Sequence, residues 1–151
     1  MNKKIIILTI MLVGLLLIAC AAKPVNNLPD KDITIYKSMS CGCCSIYTKY
    51  MGDQGFSVSA PAVDNLDAVK ERFHIPREMQ SCHTSVIGNY FVEGHVPAEA
   101  IVKLMTEKPD IAGIALPGMP SGSPGMPGGK QGPLVIYAVA KDGSTKEFMK
   151  I

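Results

Sequence analysis

Three of the chain's five cysteines crowd into four residues, Cys41-Gly42-Cys43-Cys44, at the junction of a strand-like and a helix-like segment. Ahead of it, Asp32-Ile33-Thr34-Ile35-Tyr36-Lys37 alternates polar and apolar residues and is rich in β-branched side chains, which predicts a strand. Behind it, Cys43 to Gln54 predicts a helix with Ile46, Tyr47, Tyr50 and Met51 on one face and Gly52 and Gly55 at its end. Residues 56–63 read as a second short strand, and Asn65 to Phe73 as a helix capped by Asp64. Thr84 to Ile87 and Tyr90 to Glu93 flank Gly88-Asn89, the signature of a two-residue hairpin turn. Pro97 to Lys108 places Ile101, Leu104 and Met105 on one helical face. The order strand, helix, strand, helix, strand, strand, helix predicts an α/β sandwich that opens with a crossover between parallel strands.

The cysteines carry the chemistry. Free backbone N–H groups at a helix start favour thiolate over thiol, which makes sulfur both a nucleophile and a metal ligand. Cys41-x-x-Cys44 after a first strand reads as a thioredoxin-like redox site. Cys43 changes that reading, because a dithiol catalyst needs two sulfurs and a third invites scrambling. Clustered thiolates suit a soft metal, Cu(I) or Zn, and thioether sulfur tilts the preference to Cu(I). Cys82-His83, just before the third strand, adds a sulfur and an imidazole, and in a thioredoxin-like arrangement that loop lies against the first cysteines. No proline stands between Pro76 and Pro97, where thioredoxins carry one, which weighs against the oxidoreductase reading. Two structural disulfides are a third reading, made awkward by the adjacency of Cys43 and Cys44.

The amino terminus reads as an address. Lys3 and Lys4 precede an apolar run from Ile5 to Ile18, 14 residues long and short of the roughly 20 that a spanning helix needs. It ends in Leu17-Ile18-Ala19-Cys20, which resembles the lipobox of bacterial lipoproteins. Residues 1–19 are thus expected to be a signal peptide, Cys20 the lipidated residue, 20–31 a tether and 32–151 the metal-binding domain. The expected location is the cell envelope, on the periplasmic or extracytoplasmic face of a membrane. Lys3 and Lys4 account for the whole net charge of +2, so the rest of the chain is neutral. It has no basic cluster to neutralise phosphates, which argues against nucleic acid.

From Pro109 to Pro133 the chain holds seven glycines and six prolines in 25 residues, which reads as a structureless loop inserted ahead of a last strand pair, Leu134 to Ala140 and Thr145 to Met149. Met119 and Met126 sit there in a near-repeat of Pro-Gly-Met. Thioether ligation, folding over a metal site and simple anchoring of the loop all remain open. His74 follows a predicted helix end, where a cation suits the dipole, and His95 reads equally as a cap, a hydrogen-bonding group or a ligand. The sequence shows no paired carboxylates for acid/base work, no Ser/His/Asp arrangement and no nucleotide fingerprint.

Four segments together resemble the DUF411 family, small exported CopG-like proteins associated with bacterial copper resistance. They are Cys41-Gly42-Cys43-Cys44, Ser81-Cys82-His83-Thr84, residues 92–98, and residues 113–126 with their repeated Pro-Gly-Met. The resemblance implies a thioredoxin-like fold, an envelope location and copper handling. It favours Cys41, Cys43, Cys44 and Cys82 as metal ligands, with His83, Met119 and Met126 as further members of the set. The expected cofactor is copper as Cu(I), and four close sulfurs allow a polynuclear site. The expected partners are the membrane through Cys20 and copper efflux or copper chaperone proteins. A thiol-disulfide oxidoreductase of the envelope is the alternative.

Overall fold

A computed structural model describes Leu28 and residues 30–151; the expected signal peptide, the expected lipidation site Cys20 and most of the expected tether lie outside the described residues. Among the described residues no helix is long and apolar enough to cross a membrane. Among the described residues the fold is mixed α/β, as the patterning predicts, with three helices and a seven-stranded sheet, one strand more than the six the patterning marks. In chain order the elements are β1 (Asp32–Lys37), α1 (Gly42–Asp53), β2 (Ser57–Ser59), α2 (Leu66–Arg72), a 3₁₀ turn (Arg77–Met79), β3 (His83–Ile87), β4 (Tyr90–Glu93), α3 (Ala98–Glu107), β5 (Gly113–Ala115), β6 (Val135–Val139) and β7 (Thr145–Lys150).

The strands lie in the order β2-β1-β3-β4-β5-β6-β7. β1 and β2 run parallel across the α1 crossover, and β3 is antiparallel to both β1 and β4. One face buries Ile33, Ile35, Tyr47, Met51, Ile101, Leu104, Ile114 and Ile136, so α1 and α3 both cover that face. That core reaches back to Leu28, ahead of β1. A smaller cluster of Ile75, Met79, Phe91, Ala115 and Val139 fills the other face, where α2 and the 3₁₀ turn lie.

Four local expectations are corrected. The inward face of α1 runs through Cys44, Tyr47 and Met51, while Ile46 is exposed; spacing of three to four residues from Cys44 decides the stripe, and a cysteine counts as apolar in it. α2 is capped by Asn65, whose side chain accepts the Ala68 N–H, and not by Asp64. The second strand is only Ser57–Ser59, because Ala60 and Pro61 turn the chain away before an isolated bridge from Ala62 to Lys37. Finally, residues 109–133 are not structureless. They contain β5, which pairs parallel with β4 and seats Gly113 so close to Phe91 that an added Cβ would collide with its carbonyl oxygen. Three residues are too few for a strand period to register, so β5 exists through its partners alone. The remaining strap, from Leu116 to Leu134, is tied to itself: Ser123 Oγ donates to the Pro120 carbonyl at 2.7 Å and Ser121 Oγ to that of Pro127 at 3.0 Å. Beyond it, β6 and β7 form the expected antiparallel pair and extend the sheet.

Candidate metal centre

α1 starts directly from Cys41, which occupies the cap position without a side-chain cap bond, so N–H groups of the first turn are left free. Cys43 and Cys44 lie within that turn. The chain entering β3 delivers Cys82, and the four sulfurs of Cys41, Cys43, Cys44 and Cys82 all lie within 4.8 Å of one another. Cys41 and Cys44 are joined as a disulfide with their Cα atoms 5.3 Å apart, while Cys43 and Cys82 are free. Adjacency of Cys43 and Cys44 is no obstacle to this pairing, since the bridge spans the helix start. Cys43 Sγ lies 3.5 Å from Cys41 Sγ.

A second group shares Cys82. The ligand atoms of Cys82, His83 and His95 also lie within 4.8 Å of one another, and both histidines are fully buried. Cys82 Sγ is 3.0 Å from His95 Nε2 and 3.3 Å from His83 Nδ1. His95 Nδ1 lies 2.6 Å from the Pro124 carbonyl. A carbonyl only accepts, so Nδ1 carries the proton and Nε2 presents a lone pair toward Cys82. Tyr47 packs against both imidazoles, with ring centroids 4.5 Å from His83 and 5.4 Å from His95, and donates its hydroxyl to the Val96 carbonyl at 2.8 Å.

His95 is the residue that the sequence reading left undecided. The signal was present, because counting back from the Gly88-Asn89 turn along the hairpin puts position 95 across from position 82. His74 is exposed at the end of α2 in a left-handed conformation, away from this group, and its N–H caps the helix by donating to the Glu71 carbonyl. The strap passes over the start of α1, where a Cβ on Gly125 would lie 2.9 Å from both the Cys43 carbonyl and the Tyr47 nitrogen. Met126 follows Gly125 and is half-buried, whereas Met119 is 41% exposed.

The donors fit a soft metal by two observations. Four sulfurs and two imidazoles converge, the ligand set that soft and borderline ions select. His83 Nε2 is also buried without a hydrogen-bond partner, an arrangement that costs free energy unless something meets it. Burial, and then the neighbouring Cys43, pushes the Cys82 thiol up to about 12, so a metal binding there must displace a proton. Burial, His95 and Lys70 together hold the His83 imidazole down to about 3.

That last shift sets an acid limit on the metal-free protein. Unfolded histidine titrates near 6.5, so below that pH the unfolded chain takes up a proton that folded His83 refuses. Stability is therefore full above about pH 6.5 and falls as the pH drops toward 3. At pH 5 the loss from His83 should be about 2 kcal/mol, read as the urea-midpoint difference between wild type and His83→Gln at pH 7 and pH 5. Identical pH slopes for the two proteins would refute it.

The DUF411 family, described as a protein of unknown function, matches residues 79–126. No curated protein matches the chain. Two solved structures do. "Copper resistance protein copG- Form 1" is 39% identical, with 81% of this chain and 98% of that one covered and a TM-score of 0.75. Form 2 of the same protein is 40% identical, covers 80% and 97%, and gives a TM-score of 0.74.

Proposed function

Because the chain belongs to the DUF411, CopG-like family, we propose that it is an exported, lipid-anchored protein that takes Cu(I) on its clustered cysteine thiolates for copper resistance. The observation that carries this reading is the convergence of Cys41, Cys43, Cys44 and Cys82 on one point, with His83 and His95 beside Cys82. Copper is cargo here, held or passed on to an efflux or chaperone partner, and the envelope location follows from the signal peptide and Cys20. Four bridging sulfurs can hold more than one Cu(I). Met119 and Met126 on the strap are further thioether donors.

The disulfide makes loading conditional. Cys41–Cys44 must accept two electrons before its sulfurs become thiolate ligands, so the oxidised protein offers only two of the four cysteines, Cys43 and Cys82. The full chain, purified in detergent and reduced anaerobically, should hold at least one Cu(I) per molecule against a strong chromophoric chelator and in preference to Zn(II). The oxidised chain should bind at least about tenfold more weakly, as expected when thiolates are withheld. A reduced protein that holds neither metal would overturn the reading.

A second reading, a thiol-disulfide oxidoreductase in a thioredoxin-like frame, is supported by the same disulfide at the strand-to-helix junction. It requires turnover of a disulfide substrate that is lost on replacing Cys41, a property that copper holding does not need.

A further inference from the structure

The hairpin that carries Cys82, His83 and His95 is clamped from the opposite face of the sheet. Neighbouring residues on a strand point to opposite faces, so His83 meets Tyr47 of α1 while Thr84 looks toward α2. Thr84 stands directly across from Glu93 on β4. Glu93 Oε2 accepts the Thr84 hydroxyl at 2.6 Å, and Oε1 accepts both the Ser81 N–H at 2.6 Å and the Lys70 ammonium from α2. Lys70 Nζ also reaches Thr84 Oγ1 at 3.4 Å. Both charged side chains are removed from water, 5% exposed for Lys70 and 0% for Glu93.

Such a pair is a poor device for stability alone, since desolvating two charges offsets most of their attraction and a well-packed apolar pair does as well. Burial pushes the Glu93 carboxyl up, and Lys70, Thr84 and Ser81 pull it back. What an apolar pair could not supply is the bond to Ser81. That residue immediately precedes Cys82, Thr84 immediately follows His83, and Glu93 is two residues short of His95. The β3–β4 ladder ends with Gly94 N–H donating to the His83 carbonyl at 3.0 Å. Past that point the chain turns through Gly94 at φ 80, so the Glu93 carboxylate holds the two diverging ends at a fixed separation.

We propose that the buried Lys70–Glu93–Thr84 clamp is a positioning element of the copper site, setting the distance of Cys82 and His83 from His95 through its bond to Ser81. The inference rests on the copper reading above. Glu93 and Lys70 touch no ligand atom, so their influence passes through the backbone. Outer-shell partners of this kind typically cost about 10–100-fold in metal affinity when removed.

The test uses the full chain in detergent, reduced, with Cu(I) affinity measured by chelator competition and the ratio of imidazole to sulfur scattering by X-ray absorption. Glu93→Ala should bind Cu(I) about 10–100-fold more weakly, with diminished imidazole scattering. The double variant Lys70→Met/Glu93→Gln discards both charges but keeps an amide oxygen for the Ser81 N–H, and should recover affinity to within a few-fold of wild type. Should Glu93→Ala fail to fold, the apolar pair Lys70→Met/Glu93→Met, which keeps the volume but leaves the Ser81 N–H without its acceptor, decides by the same two readouts. A clamp variant with a lowered melting temperature but wild-type affinity and scattering would overturn the proposal, as would a double variant as weak as Glu93→Ala. If the wild type itself holds no Cu(I), the copper reading fails first, and that failure is visible without any variant.

Discussion

Replacing Cys41 and Cys82 together by serine will weaken Cu(I) binding by roughly a thousandfold or more, a larger loss than the 10–100-fold expected of outer-shell changes. The two positions come from the two chain segments that build the site. Cys41 caps α1, and Cys82 leads into β3 and is the sulfur shared with both histidines. Removing both leaves Cys43 and Cys44 on one helical turn and the imidazoles without the thiolate between them. Serine oxygen is a hard, protonated donor at neutral pH and does not replace a thiolate toward Cu(I). The fold should survive, because a bridge between residues three apart closes so short a loop that its loss costs only about 2 kcal/mol by chain entropy. Circular dichroism therefore separates a lost site from a lost fold. A folded double variant that keeps wild-type copper stoichiometry through the chelator would remove the sulfur cluster from consideration.

Much of this arrangement was legible in the sequence because it is set by local rules. β1 spans Asp32–Lys37 as its alternation predicts, and the Gly88-Asn89 turn fixes a register in which Thr84 pairs with Glu93. The junction between β1 and α1 placed three cysteines at a helix start, and the third strand brought Cys82 to them. What escaped is what only packing decides. β5 is three residues with no period of its own, created by β4 on one side and β6 on the other. The inward stripe of α1 includes Cys44 and excludes Ile46, which hydrophobicity ranking alone inverts. Lys70 lies in the helix expected from Asn65 to Phe73, and its burial follows only from β3 and β4 bringing Thr84 and Glu93 to it. The strap looked structureless because its bonds run from serine hydroxyls to carbonyls several residues away, and no periodicity records such bonds.

The strap also carries the second large effect, expected for Gly125→Ala. Gly125 has φ 84, a conformation that costs an L residue roughly 1–2 kcal/mol. Its added Cβ would meet the Cys43 carbonyl and the Tyr47 nitrogen at 2.9 Å and His95 Nδ1 at 3.2 Å. The first two are backbone atoms of α1, which cannot swing aside as the end of a side chain can. The strap must therefore lift, and the neighbouring Pro124 carbonyl lifts with it. His95 Nδ1 then loses its acceptor, a bond of about 0.5–1.5 kcal/mol, and with it the tautomer that points Nε2 at Cys82. Gly118→Ala is the matched control. Gly118 has φ 78 but open space around the added carbon, so it bears the backbone cost without the collision. Gly125→Ala should lose about 2–3 kcal/mol in urea melts and release Cu(I) to chelator about tenfold faster, in keeping with loss of an outer-shell contact. Gly118→Ala should lose about 1–2 kcal/mol at most and leave release unchanged. Equal release rates for the two variants would show that the strap merely covers the site, and that His95 is held by Tyr47 and the hairpin alone.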